Sequence, residues 1–168
     1  EHETPEKIRS YGVEVELGDA KFVNKNTVSV CGKEFSAKNI VIATGSRARV
    51  PDTKGLDKIK YMTNKEVFDP KTFESIAIMG AGPIGCELGQ AFNNLGIKIY
   101  MINPTDQILG REDKDAAMLV SNQFEEQGIE LRNEHSVYEV KEKGKKKIVT
   151  ISHIDTSKME SIEVDEIL

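Results

Sequence analysis

The chain has 168 residues, of which 38% are hydrophobic and 30% charged, and its net charge is −5. That length buries one good core, or one and a part, and the composition is that of a globular α/β protein. The acidic balance argues against nucleic acid, and no apolar run is long enough to cross a membrane. With no leader pattern either, a reducing cytoplasmic location is the expectation.

The chain opens at Glu1 in a charged segment and closes on the apolar pair Ile167 and Leu168. It therefore reads as a piece of a longer protein. Residues 12–45 start with Gly12 and an alternating strand at 13–17, then pass through a polar turn to a period-two strand at 27–30. A polar stretch follows, and an apolar strand at 40–43 runs into Thr44 and Gly45. Residues 46–70 contain Pro51, Gly55 and Pro70 and read as a connector.

Residues 75–103, SIAIMGAGPIGCELGQAFNNLGIKIYMIN, are the most informative stretch. An apolar run at 76–79 feeds Gly80, Gly82 and Gly85. A helical pattern then runs to Leu95, stops at Gly96, and gives way to a β-branched run at 97–102. Strand, glycine turn, helix and strand form the unit that binds the pyrophosphate of a dinucleotide. Gly80 permits the turn, Gly82 lets the pyrophosphate approach the backbone, and Gly85 lets the helix pack close to the strands. Pro83 suits the first helical turn, where its missing N–H has no intrahelical role. The N–H groups of Ile84 and Gly85 remain as expected phosphate contacts at the positive end of the helix dipole. Ile84, Leu88, Ala91, Phe92 and Leu95 form the expected buried stripe of this helix.

The position after the second strand is Asn103, where an acid ordinarily bonds the ribose hydroxyls of NAD, or a nearby Arg meets the 2′-phosphate of NADP. No Lys or Arg occurs between Asn103 and Gly110, so NAD is favoured, with NADP left open. A loop at 103–112 leads to a helix at 113–127 with Ala117, Val120 and Phe124 on its buried stripe. From Gly128 the pattern resembles that from Gly12: a short strand at 129–132, a period-two strand at 147–154, a polar stretch, and an apolar strand beginning at Ile167. The recurring unit is a parallel strand, a β-meander and a returning parallel strand. The lysine-rich run at 143–147 reads as a solvated turn. Cys31 and Cys86 match no metal or redox spacing, and Cys86 reads as a small packing residue.

IVIATGSRARVP (40–51), MTNKEVF (62–68), GAGPIGCELGQAF (80–92) and ILGRED (108–113) together resemble the pyridine nucleotide–disulfide oxidoreductases, over nearly the whole chain. In that family an NAD(P) domain is inserted into an FAD domain, and the two are related by duplication, as the repeat here suggests. The resemblance implies a Rossmann-like α/β domain with a parallel sheet and a β-meander, preceded by a strip of the FAD domain. The expected boundaries are 1–48 for that strip, 49–70 for a connector, and 71–168 for an NAD(P)-binding domain incomplete at its C-terminal end.

Carried over by position, Gly80, Ala81, Gly82, Pro83, Ile84 and Gly85 would hold the pyrophosphate. Glu87 would lie near the nicotinamide end and the flavin, and Val137 on the adenine side. Thr44, Gly45 and Ser46 would face FAD, and the backbone of Ala20 would lie near its adenine. The FAD fingerprint, the redox cysteine pair and the C-terminal His–Glu pair of the family are absent. No catalytic residue and no metal site are therefore expected here, and His2, His135 and His153 read as surface histidines. The implied function is the NAD(P)-binding portion of a homodimeric FAD-dependent oxidoreductase that passes hydride between nicotinamide and flavin. A dihydrolipoamide dehydrogenase-like parent is the first expectation. A mercuric-reductase-like enzyme or a soluble transhydrogenase comes second, and a non-catalytic NAD-sensing module is the reading from another class.

Overall fold

The chain divides into two units, Glu1–Arg47 and Ala48–Leu168, and the computed structural model describes residues 4–68 and 72–168. His2 and Pro70 lie outside the described residues.

In the first unit, helix α1 (Pro5–Arg9) is capped by Thr4, whose hydroxyl accepts from the Lys7 amide at 3.3 Å. Strands β1 (Ala20–Asn24), β2 (Thr27–Val30) and β3 (Lys33–Ser36) form an antiparallel meander. Cys31 and Gly32 make the β2–β3 turn, both with positive φ, the twist that a two-residue hairpin requires. The strands expected at 13–17 and 40–43 are not formed: neither stretch joins a ladder, and Val41 is 87% exposed. Apolar patterning encodes a face to be covered, but a strand also needs a hydrogen-bonded neighbour. Among the described residues these two segments have none.

In the second unit, β4 (Ser75–Met79), α2 (Pro83–Asn94), β5 (Lys98–Ile102), α3 (Lys114–Glu126) and β6 (Glu130–Arg132) follow in order. Then come β7 (His135–Lys143), β8 (Lys146–His153), β9 (Met159–Val164) and β10 (Glu166–Ile167). The parallel sheet has the order β10-β4-β5-β6, and β7, β8 and β9 make an antiparallel sheet. The central strands β4 and β5 are covered on both faces, which is why they read as nearly unbroken apolar runs. Ile76, Ile78, Ile99 and Met101 pack towards Cys86, Phe124 and Ile129. Ala77, Ile102 and Ile167 pack towards Val140, Val149, Ile151 and Val164 of the meander. Two helices, a parallel sheet and a meander thus form three layers.

The α3 stripe is as expected, with Ala117 and Phe124 buried and Val120 packed against the same core. The α2 stripe is so only in part, with Phe92 packed against that core. Ile84 is 57% and Leu95 76% exposed, while the fully buried positions are Cys86 and Gly89. A Cβ on Gly85 would meet the Gly80 carbonyl oxygen at 2.2 Å, and one on Gly89 would meet Met101 Cε at 2.7 Å. The helix lies so close to the sheet at Gly85 and Gly89 that only small residues fit there.

The segment before β4 belongs to this unit. Leu56 is buried among the meander residues, and the Met62 amide donates to the Ile167 carbonyl at 2.8 Å. Asp165 joins the starts of β10 and β4: its Oδ2 accepts from the amides of Glu74 (3.1 Å) and Ser75 (3.0 Å) and from the Ser75 hydroxyl (2.8 Å). The lysine-rich turn is solvated at Gly144 and Lys145. Lys147, however, is only 7% exposed and forms an ion pair with Glu166 of β10.

Candidate functional site

The glycine turn links β4 to α2. Gly80 has φ +117°, which a side chain would not tolerate, and its amide donates to the Ile102 carbonyl at 2.8 Å, fixing the turn on β5. Gly82 is the N-cap of α2 and Pro83 its first residue. The first helical bond runs from the Cys86 amide to the Gly82 carbonyl, 2.9 Å. The amides of Ile84 and Gly85 therefore stand ahead of the intrahelical ladder at the positive end of a twelve-residue helix. A Cβ built on Gly82 would meet nothing within 4 Å. Packing within the chain thus gives no reason for glycine there.

Ala81 is buried, and its carbonyl accepts from the Leu109 amide at 2.7 Å and from the Cys86 thiol at 3.5 Å. The loop after β5 thus folds back onto the glycine turn through Leu109. That contact was not legible in the sequence, because it joins residues 28 positions apart through main-chain atoms that any side chain would supply. Glu87 is exposed one turn into α2, on a groove of about 410 Å³ that Pro83, Cys86, Gln90, Leu109 and Leu119 also line. Burial pushes the Cys86 thiol up to about 11, with the charge of Glu87 adding to it, so the thiol stays protonated near neutrality and is a packing group.

Asn103 lies at the C-terminal end of β5, buried, with its amide turned into its own loop. Val137 is half-buried on β7 against the meander-side core. Ala20, Thr44, Gly45 and Ser46 are exposed residues of the first unit, and Gly45 has φ +69°. Cys31 is exposed and unpaired, and it lies in a different unit from Cys86. His135 and His153 face each other across β7 and β8 with ring centroids 4.9 Å apart. Among the described residues no three potential metal ligands come together, and no helix is long and apolar enough to cross a membrane.

A parallel sheet of order β10-β4-β5-β6, with a glycine turn from its first strand into a covering helix, is a Rossmann-type α/β unit. The family model for pyridine nucleotide-disulphide oxidoreductases matches residues 4–168, and the chain belongs to that family. It is 34% identical over 163 residues to the mercuric reductase of Bacillus cereus, a match covering 96% of this chain and 25% of that protein. It is 33% identical over 138 residues to the dihydrolipoyl dehydrogenase of Acholeplasma laidlawii, covering 79% of this chain and 41% of that one. In fold it matches the water-forming NADH oxidase from Lactobacillus brevis bound to NADH, with a TM-score of 0.71 at 22% identity, over 97% of this chain and 39% of the other. The chain therefore spans a quarter to two fifths of the length of these proteins.

Proposed function

We propose that this chain is the nicotinamide-nucleotide-binding portion, with a strip of the flavin domain, of an FAD-dependent oxidoreductase. The observation that carries the reading is the N-terminus of α2: two amides without intrahelical acceptors beside a glycine whose side-chain direction is open. The Ile84 and Gly85 amides would donate to the coenzyme pyrophosphate, and Gly82 would leave room for it. Glu87, on the adjoining groove, would lie towards the nicotinamide end, and Val137 towards the adenine. Nicotinamide and flavin, bound together, supply hydride transfer, and the protein's task is to hold and orient them. Residues 103–110 contain no cation for a 2′-phosphate, which favours NAD over NADP.

For the whole protein, a dihydrolipoyl-dehydrogenase-like activity is one reading and a mercuric-reductase-like activity the other. The second gains weight from the longer match, 96% of the chain against 79%. Cys31 and Cys86 are not disulfide-bonded and lie in different units, and no dithiol step is assigned to them.

Titration of the chain with NADH, followed by nicotinamide fluorescence, tests the proposal. Binding is expected without retained flavin. Gly82→Val should abolish binding and lower the melting temperature only modestly, because a Cβ there meets nothing within 4 Å while valine is a poorer helix N-cap than glycine. Unchanged NADH affinity in that variant would show that the turn is only structural, and stoichiometric flavin absorbance in the purified chain would overturn the incomplete flavin site.

A further inference from the structure

Asn103 stands where this fold class usually carries an acid that accepts from the ribose hydroxyls, yet it is only 6% exposed. Its Nδ2 lies 3.0 Å from the Thr105 carbonyl, 2.8 Å from the Gln107 carbonyl, 3.0 Å from Thr105 Oγ1 and 3.1 Å from Asn133 Oδ1. Carbonyls only accept, so the atom facing them must be a donor, and the orientation of the amide is chemically fixed. Its Oδ1 lies 3.2 Å from the Thr105 hydroxyl, whose single proton is also within reach of the Gln107 carbonyl at 2.9 Å. The main chain is engaged as well: the Asn103 amide donates to the Arg132 carbonyl at 2.9 Å, and its carbonyl accepts from the His135 amide at 3.0 Å. The side-chain nitrogen and both main-chain groups of Asn103 thus have partners within the protein, and its Oδ1 faces the Thr105 hydroxyl. The turn it closes delivers Ile108 into the core and the Leu109 amide to the Ala81 carbonyl inside the glycine turn.

We infer that Asn103 is a positioning residue that holds the post-β5 loop against the phosphate-binding turn, and that it makes no contact with the coenzyme ribose. The inference rests on the nucleotide-binding reading above. A carboxylate at 103 would face the Thr105 and Gln107 carbonyls and be repelled by both, so this loop conformation and the usual ribose-reading acid exclude each other. Coenzyme affinity then depends on Asn103 only through the pyrophosphate end, which NADH and NADPH share. Any preference between them is set elsewhere.

The isosteric Asn103→Asp separates the two roles. As a positioning residue, its replacement should speed amide hydrogen exchange at Leu109 by about tenfold or more and weaken NADH and NADPH alike, by about tenfold, with their affinity ratio held within about threefold. Were Asn103 the ribose contact, Asp would tighten NADH, repel NADPH and leave the Leu109 amide as protected as before. Unchanged exchange overturns the inference whatever the affinities, and so does a ratio moved beyond about threefold. If neither the parent chain nor the variant binds either coenzyme, the nucleotide reading fails, and the exchange rate alone decides whether Asn103 holds the loop. Thr105→Val, an exposed substitution that removes one hydroxyl from the same network, should give a smaller acceleration at Leu109. It decides the matter if Asn103→Asp does not fold, with no acceleration counting against the inference.

Discussion

Asp165 shows how much one carboxylate can hold. The Lys146 ion pair at 2.6 Å and the donors from Ser75 and Glu74 keep its carboxyl at about 2, below its ordinary 3.8, against the opposing effect of burial. Because the folded value is the lower one, the contribution to stability is complete above the unfolded value and is lost as pH falls from about 4 to about 2. Asp165→Asn should cost about 1–3 kcal/mol at neutral pH, since the two backbone amides lose a charged acceptor. It should also flatten the acid limb in that window. Urea denaturation at pH 7, repeated down to pH 2, checks both. None of this was legible in the sequence, because the partners lie about ninety positions away in β4. Asn103 teaches the same lesson. Its place at the end of β5 was readable from the β-branched run before it, but its orientation was not, because that depends on Thr105, Gln107 and Asn133 meeting in space.

Elements were legible where a pattern is repeated and hidden where small residues carry the contact. The strand, helix and strand of residues 75–103 could be read from apolar runs and glycines. On the inward face of α2, Gly85 and Cys86 were readable as close-packing residues, but Gly89 was not, because a glycine adds nothing to an apolar count. The two helical glycines should respond differently to alanine. At Gly85 the new Cβ meets backbone, the Gly80 carbonyl, and the helix must move; a cost of about 1–3 kcal/mol is expected. At Gly89 it meets the flexible end of Met101, which can rotate away, and the better helix propensity returns up to about 1 kcal/mol. Gly89→Ala should therefore be near neutral, and denaturant midpoints of the two variants compare them directly. The strands expected at 13–17 and 40–43 mark the opposite limit: the pattern was present, but among the described residues no pairing partner was.

Over the whole molecule, both large buried clusters lie in the second unit, on either side of the parallel sheet. A chain of residues 48–168 alone should keep a cooperative thermal transition and bind NADH within about twofold of the full chain. Limited proteolysis of the full chain should cut first in the exposed, unpaired stretch at 38–50. A melt without a cooperative transition in the shorter chain would show that the first unit supplies part of the core.

The last strand carries a further consequence. With only Glu166 and Ile167 in its ladder, β10 has almost no sequence pattern of its own to choose among alternative alignments, and a one-residue slip would turn Ile167 out of the core. The Lys147–Glu166 pair and the Asp165 cluster are expected to act as an address label that favours one alignment over its neighbours. Replacing the pair together, Lys147→Met with Glu166→Leu, should hold or raise the denaturation midpoint while the β10 resonances multiply in an NMR spectrum. Lys147→Met alone, which removes the cation beside Glu166, should lower the midpoint below that of the double variant. Charge in this corner of the molecule buys singularity more than strength.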